Sequence, residues 1–394
     1  MKLLFITPYV PSRIRVRPFQ IIKELAKRHK VHVLALGESD KTRTQGVEEI
    51  MSVVEDLCVI PHSRLRGLAQ ALVSLPLPVP LSAAYCWSRP MRRAVAWELD
   101  GGGFDLIHVE HLRAAHFVPR RAGAPMVFDA VDCLTGLFRQ MARAKKSLPV
   151  RAVMNLEAWK LCRYEPRTLR RFDRIVITSD SERDALLELD PKLGVDTVPN
   201  GVDTGYFAPR GIPRVPRRII FSGKMSYSPN AQAATWFARE AFPRLRAKWD
   251  DAQFVIAGSN PPQGVRALAE VPGITVTGYL DDLRPEMEAA SVAVAPMQSA
   301  VGIQNKVLEA MAMAMPVVAG SLATRAIGPG TPGVVEAETA QEVADAVGRL
   351  FENPDSAADL GRKGREFVER FFSWQAAVGK LEGIYEELTS GRQR

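Results

Sequence analysis

A glycine, a lysine and a glutamate are closely spaced in the segment GIQNKVLEAMA, residues 302–312. Gly302 is predicted at a helix N-terminus, where free backbone N–H groups and the helix dipole favour a phosphate. We predict that Lys306 binds a diphosphate and that Glu309, on the same face, accepts hydrogen bonds from a ribose diol. An exposed Lys–Glu pair has this spacing too, but so apolar a segment is expected to turn its few polar residues toward a cleft. The predicted contacts here are Gly302, Ile303, Asn305, Lys306 and Glu309.

A second polar group, Gly223, Lys224 and Asn230, follows the apolar run Arg218–Phe221. Open α/β sheets bind ligands at the carboxyl ends of their parallel strands, and a glycine followed by a cation suits an anionic group there. We therefore predict that this group contacts the same nucleotide. A solvated surface lysine is the alternative interpretation of Lys224.

Gly258 and Tyr279 follow two further apolar runs, Phe254–Ala257 and Ile274–Thr277. At these strand ends we predict a ligand contact at Gly258 and a nucleobase stacked on Tyr279. The alternatives are a plain turn at Gly258 and a tyrosine that packs in the core.

Short β-branched runs alternate with amphipathic stretches along the chain, which predicts an α/β protein with parallel sheets formed twice over. Neither half has a GxGxxG motif, which argues against a dinucleotide-dependent oxidoreductase. The predicted strands are Lys2–Thr7, Val31–Leu36, Leu57–Ile60, Leu106–Val109, Met126–Asp129, Arg174–Thr178, Arg218–Phe221, Phe254–Ala257, Ile274–Thr277, Val292–Ala295 and Pro316–Val318. The predicted helices include Pro18–His29, Met154–Arg171, Ala231–Leu245, Arg284–Ala290, Gln304–Ala314 and Phe371–Leu388.

Proline and glycine accumulate in VPNGVDTGYFAPRGIPRVPRR, which predicts a linker between two domains. We expect an N-terminal domain over residues 1–200, a linker over 201–217 and a C-terminal domain over 218–373. A terminal helix of about residues 374–394 is expected to join the first domain.

The 394 residues carry a net charge of +8, and the basicity lies entirely in the first half. Residues 1–200 hold 31 Lys and Arg against 22 Asp and Glu, whereas the remainder holds 21 against 22. This difference in net charge between the two halves suggests two domains with different partners. An apolar fraction of 46% excludes a disordered chain, and four scattered cysteines without a CxxC motif indicate reduced thiols in the cytoplasm. No apolar run is long enough for a membrane-spanning helix.

GIQNKVLEAMAMAMPVVA resembles the signature helix of glycosyltransferase family 4. Similar motifs follow the family's order over nearly the whole chain: PNGVD, SGKM, FVIAG, ITVTGYLDDL, VAVAP and FSW. The chain is most similar to transferases of exopolysaccharide gene clusters. The resemblance implies the GT-B fold, two Rossmann-like domains whose parallel sheets face each other across a cleft. It places a nucleotide sugar on the C-terminal domain and the acceptor on the N-terminal one.

Some positions depart from the family pattern. Glu309 matches the second of two signature glutamates, but Val301 stands where the first touches the donor sugar. Asn230 lies near the place of a second basic residue that usually follows Lys224. The first loop lacks the usual glycine pair and has three arginines, which we expect on the acceptor or phosphate side: Arg13, Arg15 and Arg17.

Asp132 lies where the family often has an active-site histidine. We predict that it orients or deprotonates an acceptor hydroxyl, with a helix-capping aspartate as the alternative. His108, His111 and His116 form an HxxHxxxxH pattern without a well-spaced Cys or carboxylate partner, so no metal site is predicted. No convincing DxD motif is present, in keeping with the metal-independent chemistry that the family implies.

The resulting hypothesis is a retaining glycosyltransferase that takes sugar from a UDP- or GDP-linked donor. Lys224, Lys306 and Asp132 are the candidate catalytic residues, and no cofactor is expected. A sugar-nucleotide epimerase can share this architecture and is the alternative. A basic nucleic-acid-binding protein is a weaker alternative, because the basic segment has neither interleaved aromatic residues nor a recognised binding motif.

Five arginines flank the apolar, proline-interrupted stretch Leu65–Trp87: Arg64, Arg66, Arg89, Arg92 and Arg93. Such a composition suits anionic lipid headgroups, which attract each cation by about 1 kcal/mol. We therefore expect a cytoplasmic protein at the inner face of the cell membrane with a lipid-linked or saccharide acceptor. A merely solvated basic surface is the alternative.

Overall fold

The computed structural model describes residues 1–12, 15–37, 40–54, 56–144, 147–299 and 303–391. The chain divides into two compact units, Met1–Pro199 with Ala377–Arg394, and Asn200–Ala376. The predicted linker residues 201–217 are therefore part of the second unit. Two predicted site residues, Arg13 and Gly302, lie outside the described residues.

The first unit is built on a parallel sheet. Its strands are β1 (Lys2–Thr7), β2 (Lys30–Gly37), β3 (Asp56–Pro61), β4 (Leu106–Glu110), β5 (Met126–Val131), β6 (Arg174–Ile177) and β7 (Val195–Thr197). Their order is β3-β2-β1-β4-β5-β6-β7. The helices are α1 (Val16–Leu25), α2 (Asp40–Met51), α3 (Arg64–Val73), α4 (Leu81–Tyr85), α5 (Arg89–Gly101), α6 (Leu134–Ala144), α7 (Leu148–Leu169) and α8 (Asp180–Leu189).

The second unit repeats this scheme with a smaller parallel sheet. Its strands are β8 (Arg218–Ser222), β9 (Gln253–Ala257), β10 (Ile274–Gly278), β11 (Val292–Ala295), β12 (Val317–Ala319) and β13 (Val334–Glu336), in the order β10-β9-β8-β11-β12-β13. The helices are α9 (Ser228–Trp236), α10 (Phe242–Lys248), α11 (Gln263–Arg266), α12 (Arg284–Ala289), α13 (Asn305–Ala312), α14 (Ser321–Thr324), α15 (Ala340–Glu352) and α16 (Pro354–Phe371). The last helix, α17 (Trp374–Ser390), begins in the second unit and continues into the first.

Nearly continuous apolar runs form the inner strands of both sheets. Leu3–Ile6 in the first unit and Ile219–Phe221 in the second are at most 1% exposed. Parallel strands covered by helices on both faces require such runs. Because every adjacent pair is parallel, the carboxyl ends of the strands in each sheet share one edge. The loops that carry the predicted site residues of the second unit leave its sheet at that edge.

Two of the predicted helices differ in detail from the structure. The helix predicted over Ala231–Leu245 is α9 and α10 separated by a π-helical turn, Phe237–Ala241, shortly before Pro243. Proline lacks the N–H that a regular helix needs at such a position. The terminal helix predicted over Phe371–Leu388 is present but begins at Trp374, since Phe371 ends α16 and the Phe372 carbonyl accepts a hydrogen bond from the Val202 N–H at 2.7 Å.

Helix α17 packs on the first unit from Ala377 onward. The buried Tyr385 hydroxyl and His108 Nδ1 form a hydrogen bond of 2.6 Å, and Glu382 binds both Arg28 and His29. Burial lowers the pKa of His108 to about 4, so its ring is neutral near pH 7. These long-range contacts attach the end of the chain to β4 and to the segment after α1.

Candidate nucleotide-binding site

Two glycines bring the ends of β8 and β9 into close contact. A Cβ atom on Gly258 would lie 1.8 Å from the Gly223 carbonyl oxygen, and one on Gly223 would lie 2.7 Å from Asn230 Nδ2. Both have positive φ angles, +149° for Gly223 and +154° for Gly258, which disfavour any other residue. The β9 end is therefore more than a plain turn, since its glycine allows the two loops to approach backbone to backbone.

Lys306 reaches into this junction from α13. Its Nζ donates to Asn230 Oδ1 at 2.9 Å and to Gln304 Oε1 at 3.2 Å, and it lies 5.5 Å from the centre of the Phe221 ring. Asn230 Nδ2 in turn donates to the Lys224 carbonyl at 3.0 Å. Burial lowers the pKa of Lys306 to about 8, against a smaller opposing effect of Glu309. A partly desolvated cation thus stands at the edge of the sheet.

Glu309 lies one turn along α13 without a hydrogen bond from any described residue to its carboxylate. Lys306 is directed to Asn230 and Gln304, and the structure shows no ion pair between Lys306 and Glu309 among the described residues. Burial raises the pKa of Glu309 to about 7, although Lys306 lowers it. Leaving a desolvated carboxylate without partners is costly for a fold, and such groups concentrate at functional sites.

The remaining predicted contacts of this unit surround the same edge. Lys224 is exposed, and no described residue forms a hydrogen bond or ion pair with its ammonium group. Asn305 is exposed as the first residue of α13, and Ile303 is half-buried just before it. With Gly223, Gly258, Lys306 and Glu309, they belong to the regions that follow β8, β9 and β11.

A cavity of about 410 Å³ lies beside Tyr279. Tyr279 is 73% exposed and so does not pack in the core. The cavity is also lined by Asn260, Pro261, Arg266 and Val276, which the sequence analysis did not single out. The Arg266 Nε donates to the Pro261 carbonyl at 2.8 Å, which holds the wall opposite the tyrosine in place. The volume suits a small ligand, and the exposed ring offers a stacking surface.

On the first unit, Asp132 follows a strained turn at the end of β5. Val131 has a φ of +65°, which is rare for a β-branched residue. The helix that follows is not capped by Asp132: Glu165 accepts hydrogen bonds from the Leu134 and Thr135 N–H groups. Burial raises the pKa of the half-buried Asp132 carboxyl, and Arg17 lowers it. The capping interpretation therefore finds no support in the geometry.

The predicted arginines of the first loop have different surroundings. Arg15 is exposed, with its guanidinium 4.3 Å from the centre of the Tyr9 ring. Arg17 is buried and donates from Nε to both carboxylate oxygens of Asp129, at 2.9 and 3.1 Å. Breaking a buried ion pair costs several kcal/mol, which gives Arg17 a structural role whatever else it contacts.

Glu110 was missed in the sequence, although it ends the otherwise apolar strand β4. It is buried, and its carboxylate accepts hydrogen bonds from Thr7 Oγ1 at 2.8 Å and the Tyr9 hydroxyl at 2.7 Å. Burial raises its pKa to about 7. An acidic residue at the carboxyl end of a buried strand is a usable sequence signal, but the two hydroxyl partners come from the end of β1 and the loop after it, about one hundred residues earlier.

The three histidines do not share a centre. His108 stacks on Phe5 at 4.3 Å between ring centres, while His116 packs against Phe117. Burial lowers the pKa of both His111 and His116 to about 3. In the part of the chain that the structure describes, no three His, Cys, Asp or Glu residues are grouped to hold a metal ion.

Two family descriptions match adjacent parts of the sequence. Residues 16–206 match Glycosyltransferase Family 4, and residues 216–353 match Glycosyl transferases group 1. The chain belongs to glycosyltransferase family 4. The first match covers most of the unit with Asp132 and Glu110, and the second covers the strand ends with Lys224, Lys306 and Glu309.

Curated members of the family are moderately similar. The alpha-D-kanosaminyltransferase of Streptomyces kanamyceticus is 29% identical over 43% of this chain and 45% of its own length. A GDP-mannose-dependent alpha-(1-6)-phosphatidylinositol monomannoside mannosyltransferase of Mycobacterium tuberculosis is 28% identical over 48% of this chain and 55% of its own. The matched region thus spans about half the length of these relatives.

Similarity to solved structures extends over the entire fold. Anabaena HepE in complex with UDP has a TM-score of 0.66 and 14% identity, with 98% of this chain and 100% of that chain covered. At this identity the likeness concerns the fold alone, which is GT-B with two Rossmann-like units. Among the described residues, no helix has the length and apolar character needed to cross a bilayer.

Proposed function

We propose that this protein transfers a sugar from a nucleoside-diphosphate sugar to an acceptor hydroxyl, with retention of the anomeric configuration, in polysaccharide or glycolipid synthesis. The observation that carries the proposal is the junction of β8, β9 and α13. There two glycines let the loops after β8 and β9 meet backbone to backbone, Lys306 supplies a partly desolvated cation, and Glu309 has no described hydrogen-bond partner.

The diphosphate binds Lys306, Lys224 and backbone N–H groups near Gly223 and the start of α13. Anions are stabilised at helix N-termini, and a bound diphosphate favours the charged form of Lys306, which burial disfavours. Glu309 accepts hydrogen bonds from the ribose diol, since no described residue donates a hydrogen bond to its carboxylate. The base stacks on Tyr279 in the adjacent cavity. HepE, which has the same fold, has been crystallised with UDP and with UDP-glucose.

The chemical step breaks the bond between the sugar C1 and the diphosphate oxygen, whose electron pair leaves with the phosphate. The acceptor oxygen forms the new bond to C1 on the same face, and its proton passes to the departing phosphate. Preorganised cations stabilise the charge that develops on the leaving group. Lys224 and Lys306 supply that charge, so the proposed reaction needs no metal ion or other cofactor.

The first unit holds the acceptor, and Asp132 orients its hydroxyl. The strained backbone at Val131 sets the direction of the loop that carries Asp132. A lipid-linked acceptor is favoured by the Mycobacterium relative, whose name specifies a phosphatidylinositol mannoside. Arg15 is an exposed cation of the first loop and suits a phosphate on such an acceptor.

The proposal is tested by thermal shift with UDP-, GDP- and ADP-linked sugars, followed by turnover of the sugar that binds. A ligand at 100 times its Kd stabilises the protein by about 2.7 kcal/mol. Lys306→Ala should lower transfer about 10- to 150-fold, because a charged hydrogen bond contributes about 1.5–3 kcal/mol. Lys192→Ala, which removes an exposed lysine of the first unit, should leave transfer unchanged.

No stabilisation by any nucleotide sugar, or full activity of Lys306→Ala, contradicts the proposed donor site. Incubation with the nucleotide sugar alone separates transfer from epimerisation. An epimerase would convert the donor sugar to its epimer without an acceptor. The proposed transferase should leave the configuration of the donor sugar unchanged under the same conditions.

A further inference from the structure

Helix α3 has its larger apolar residues on the outside. Leu65, Leu68 and Leu72 are 80%, 56% and 66% exposed and lie on one face, which we call the leucine face. The opposite face, which packs on the protein, consists of smaller or polar residues: Gly67, Gln70, Ala71 and Ser74. Soluble helices ordinarily show the reverse arrangement, with the apolar face toward the core.

Buried contacts hold α3 in this orientation. A Cβ atom on Gly67 would lie 2.8 Å from the Tyr85 ring, so the helix rests directly on α4. The buried Lys160 donates from Nζ to the Ser74 carbonyl at 2.7 Å. Glu157 accepts hydrogen bonds from the N–H groups of Leu81 and Ser82. Two buried charges of α7 are thus used to secure the segment that carries the leucine face.

The first turns of α7 also expose apolar residues. Val153 is 47% exposed. It lies one turn before Glu157 on the same helix face, and Glu157 binds the segment that follows α3. Leu75 and Leu77, between α3 and α4, are also exposed. The segment that follows α3 thus carries further exposed leucines, and the helix face that binds it carries Val153.

Both parts of this surface lack acidic residues. None occurs from Leu57 to Trp97 or from Cys133 to Leu156, whereas arginines are present in both. At 100° per residue, Arg64 and Arg66 fall on the two sides of the leucine face. Basic residues that flank an apolar helix face are the pattern of helices that lie in the interface of an anionic bilayer.

We propose that the leucine face of α3, together with Val153 of α7, docks on an anionic lipid surface. The leucines enter the headgroup region, and Arg64 and Arg66 bind lipid phosphates beside them. A second copy of this chain would bring like charges together, which disfavours self-association through this surface. The inference goes beyond the proposed sugar transfer, since it requires neither donor nor acceptor.

The experiment is flotation of the full-length protein with two kinds of vesicle, without nucleotide. One is pure phosphatidylcholine, and the other contains about one third phosphatidylglycerol. We expect binding to the anionic vesicles that weakens as salt rises. Arg64→Gln with Arg66→Gln should weaken it about 25-fold, at about fivefold per cation. Leu65→Ser, Leu68→Ser and Leu72→Ser together should weaken it more than about a hundredfold.

Controls remove matched exposed groups from the second unit. Arg325→Gln with Arg370→Gln, and separately Val271→Ser, should leave vesicle binding unchanged. The proposal is overturned if the protein does not bind anionic vesicles at low salt. It is overturned as well if the double arginine variant and the triple leucine variant both bind as strongly as the unchanged protein. It is also overturned if light scattering shows a dimer that the leucine variant converts to a monomer. Because the vesicle experiment contains no nucleotide, its outcome is independent of whether the proposed donor site is correct.

Discussion

At the scale of single residues, burial shifts Lys306 and Glu309 toward their neutral forms. The pKa of Lys306 falls to about 8 and that of Glu309 rises to about 7. The folded protein therefore holds a proton on Glu309 that the unfolded chain has released above its ordinary pKa of 4.5. Between these two values the free energy of unfolding decreases as pH rises, and above pH 7 the cost of the buried carboxylate persists.

Glu309→Gln should stabilise the protein and weaken nucleotide binding at the same time. At about pH 8 we expect its free energy of unfolding to rise by about 1–3 kcal/mol, with no gain near pH 4, where the carboxyl is protonated in both states. Affinity for the free nucleotide should fall about tenfold, because a neutral amide is a poorer acceptor for the ribose diol.

Urea denaturation at several pH values and calorimetric titration measure the two effects. Glu270→Gln, at an exposed position of the same unit, serves as the control and should change neither. A stability difference that is independent of pH, or unaltered nucleotide affinity, contradicts the role assigned to Glu309.

At the scale of elements, the approach of β8 to β9 depends on Gly258. Gly258→Ala places a Cβ atom against the Gly223 carbonyl at a φ of +154°, so the two loops must separate. We expect a loss of about 1–3 kcal/mol in stability and a loss of nucleotide binding in the protein that still folds. Gly264→Ala, whose Cβ meets no atom within 4 Å, is the matched control. Nucleotide binding is measured by thermal shift with and without nucleotide. Equal binding by the two variants contradicts the role assigned to Gly258.

Helix α17 provides a second test at this scale. Tyr385→Phe keeps the buried ring but leaves His108 Nδ1 without its hydrogen-bond partner. An unsatisfied buried polar atom costs about 1–3 kcal/mol, so the free energy of unfolding should fall by that amount. Tyr227→Phe, at a half-exposed ring, should be neutral in the same denaturation experiment. Equal effects of the two changes would mean that the hydrogen bond contributes nothing.

At the scale of the whole molecule, each unit has its own hydrophobic core. Two cores of this size are expected to unfold in two calorimetric transitions rather than one. Saturating nucleotide should raise only the transition of the second unit, because a ligand stabilises the part that binds it. Phe254→Ala, in the core of the second unit, should lower the midpoint temperature of that same transition, because such a change costs about 3–5 kcal/mol of stability. A single transition that moves as a whole with nucleotide contradicts this assignment.

Much of the fold follows from local pattern. Buried strands are apolar runs bounded by turn residues, so β1 and β11 have the predicted bounds. The three-residue edge strands β7 and β13 are too short to stand out. The end of α16 at Phe371 is not visible in a helical period, since the Phe372 carbonyl is bound by the distant Val202. The π-helical turn before Pro243, in contrast, has a local cause in the proline. Element type is thus a local property, whereas several boundaries are not.

The sequence by itself determined the residue types at the strand ends, because glycines, lysines and a glutamate after apolar runs reflect turn chemistry and charge. Only the tertiary structure decided which of them meet. Lys306 contacts Asn230 across 76 positions, and Glu110 contacts Thr7 across 103. The tertiary structure also pairs Arg17 with Asp129 and leaves the leucines of α3 exposed to solvent. Such pairings depend on which strands become neighbours and which helix face finds a packing partner, and these are properties of the assembled sheets.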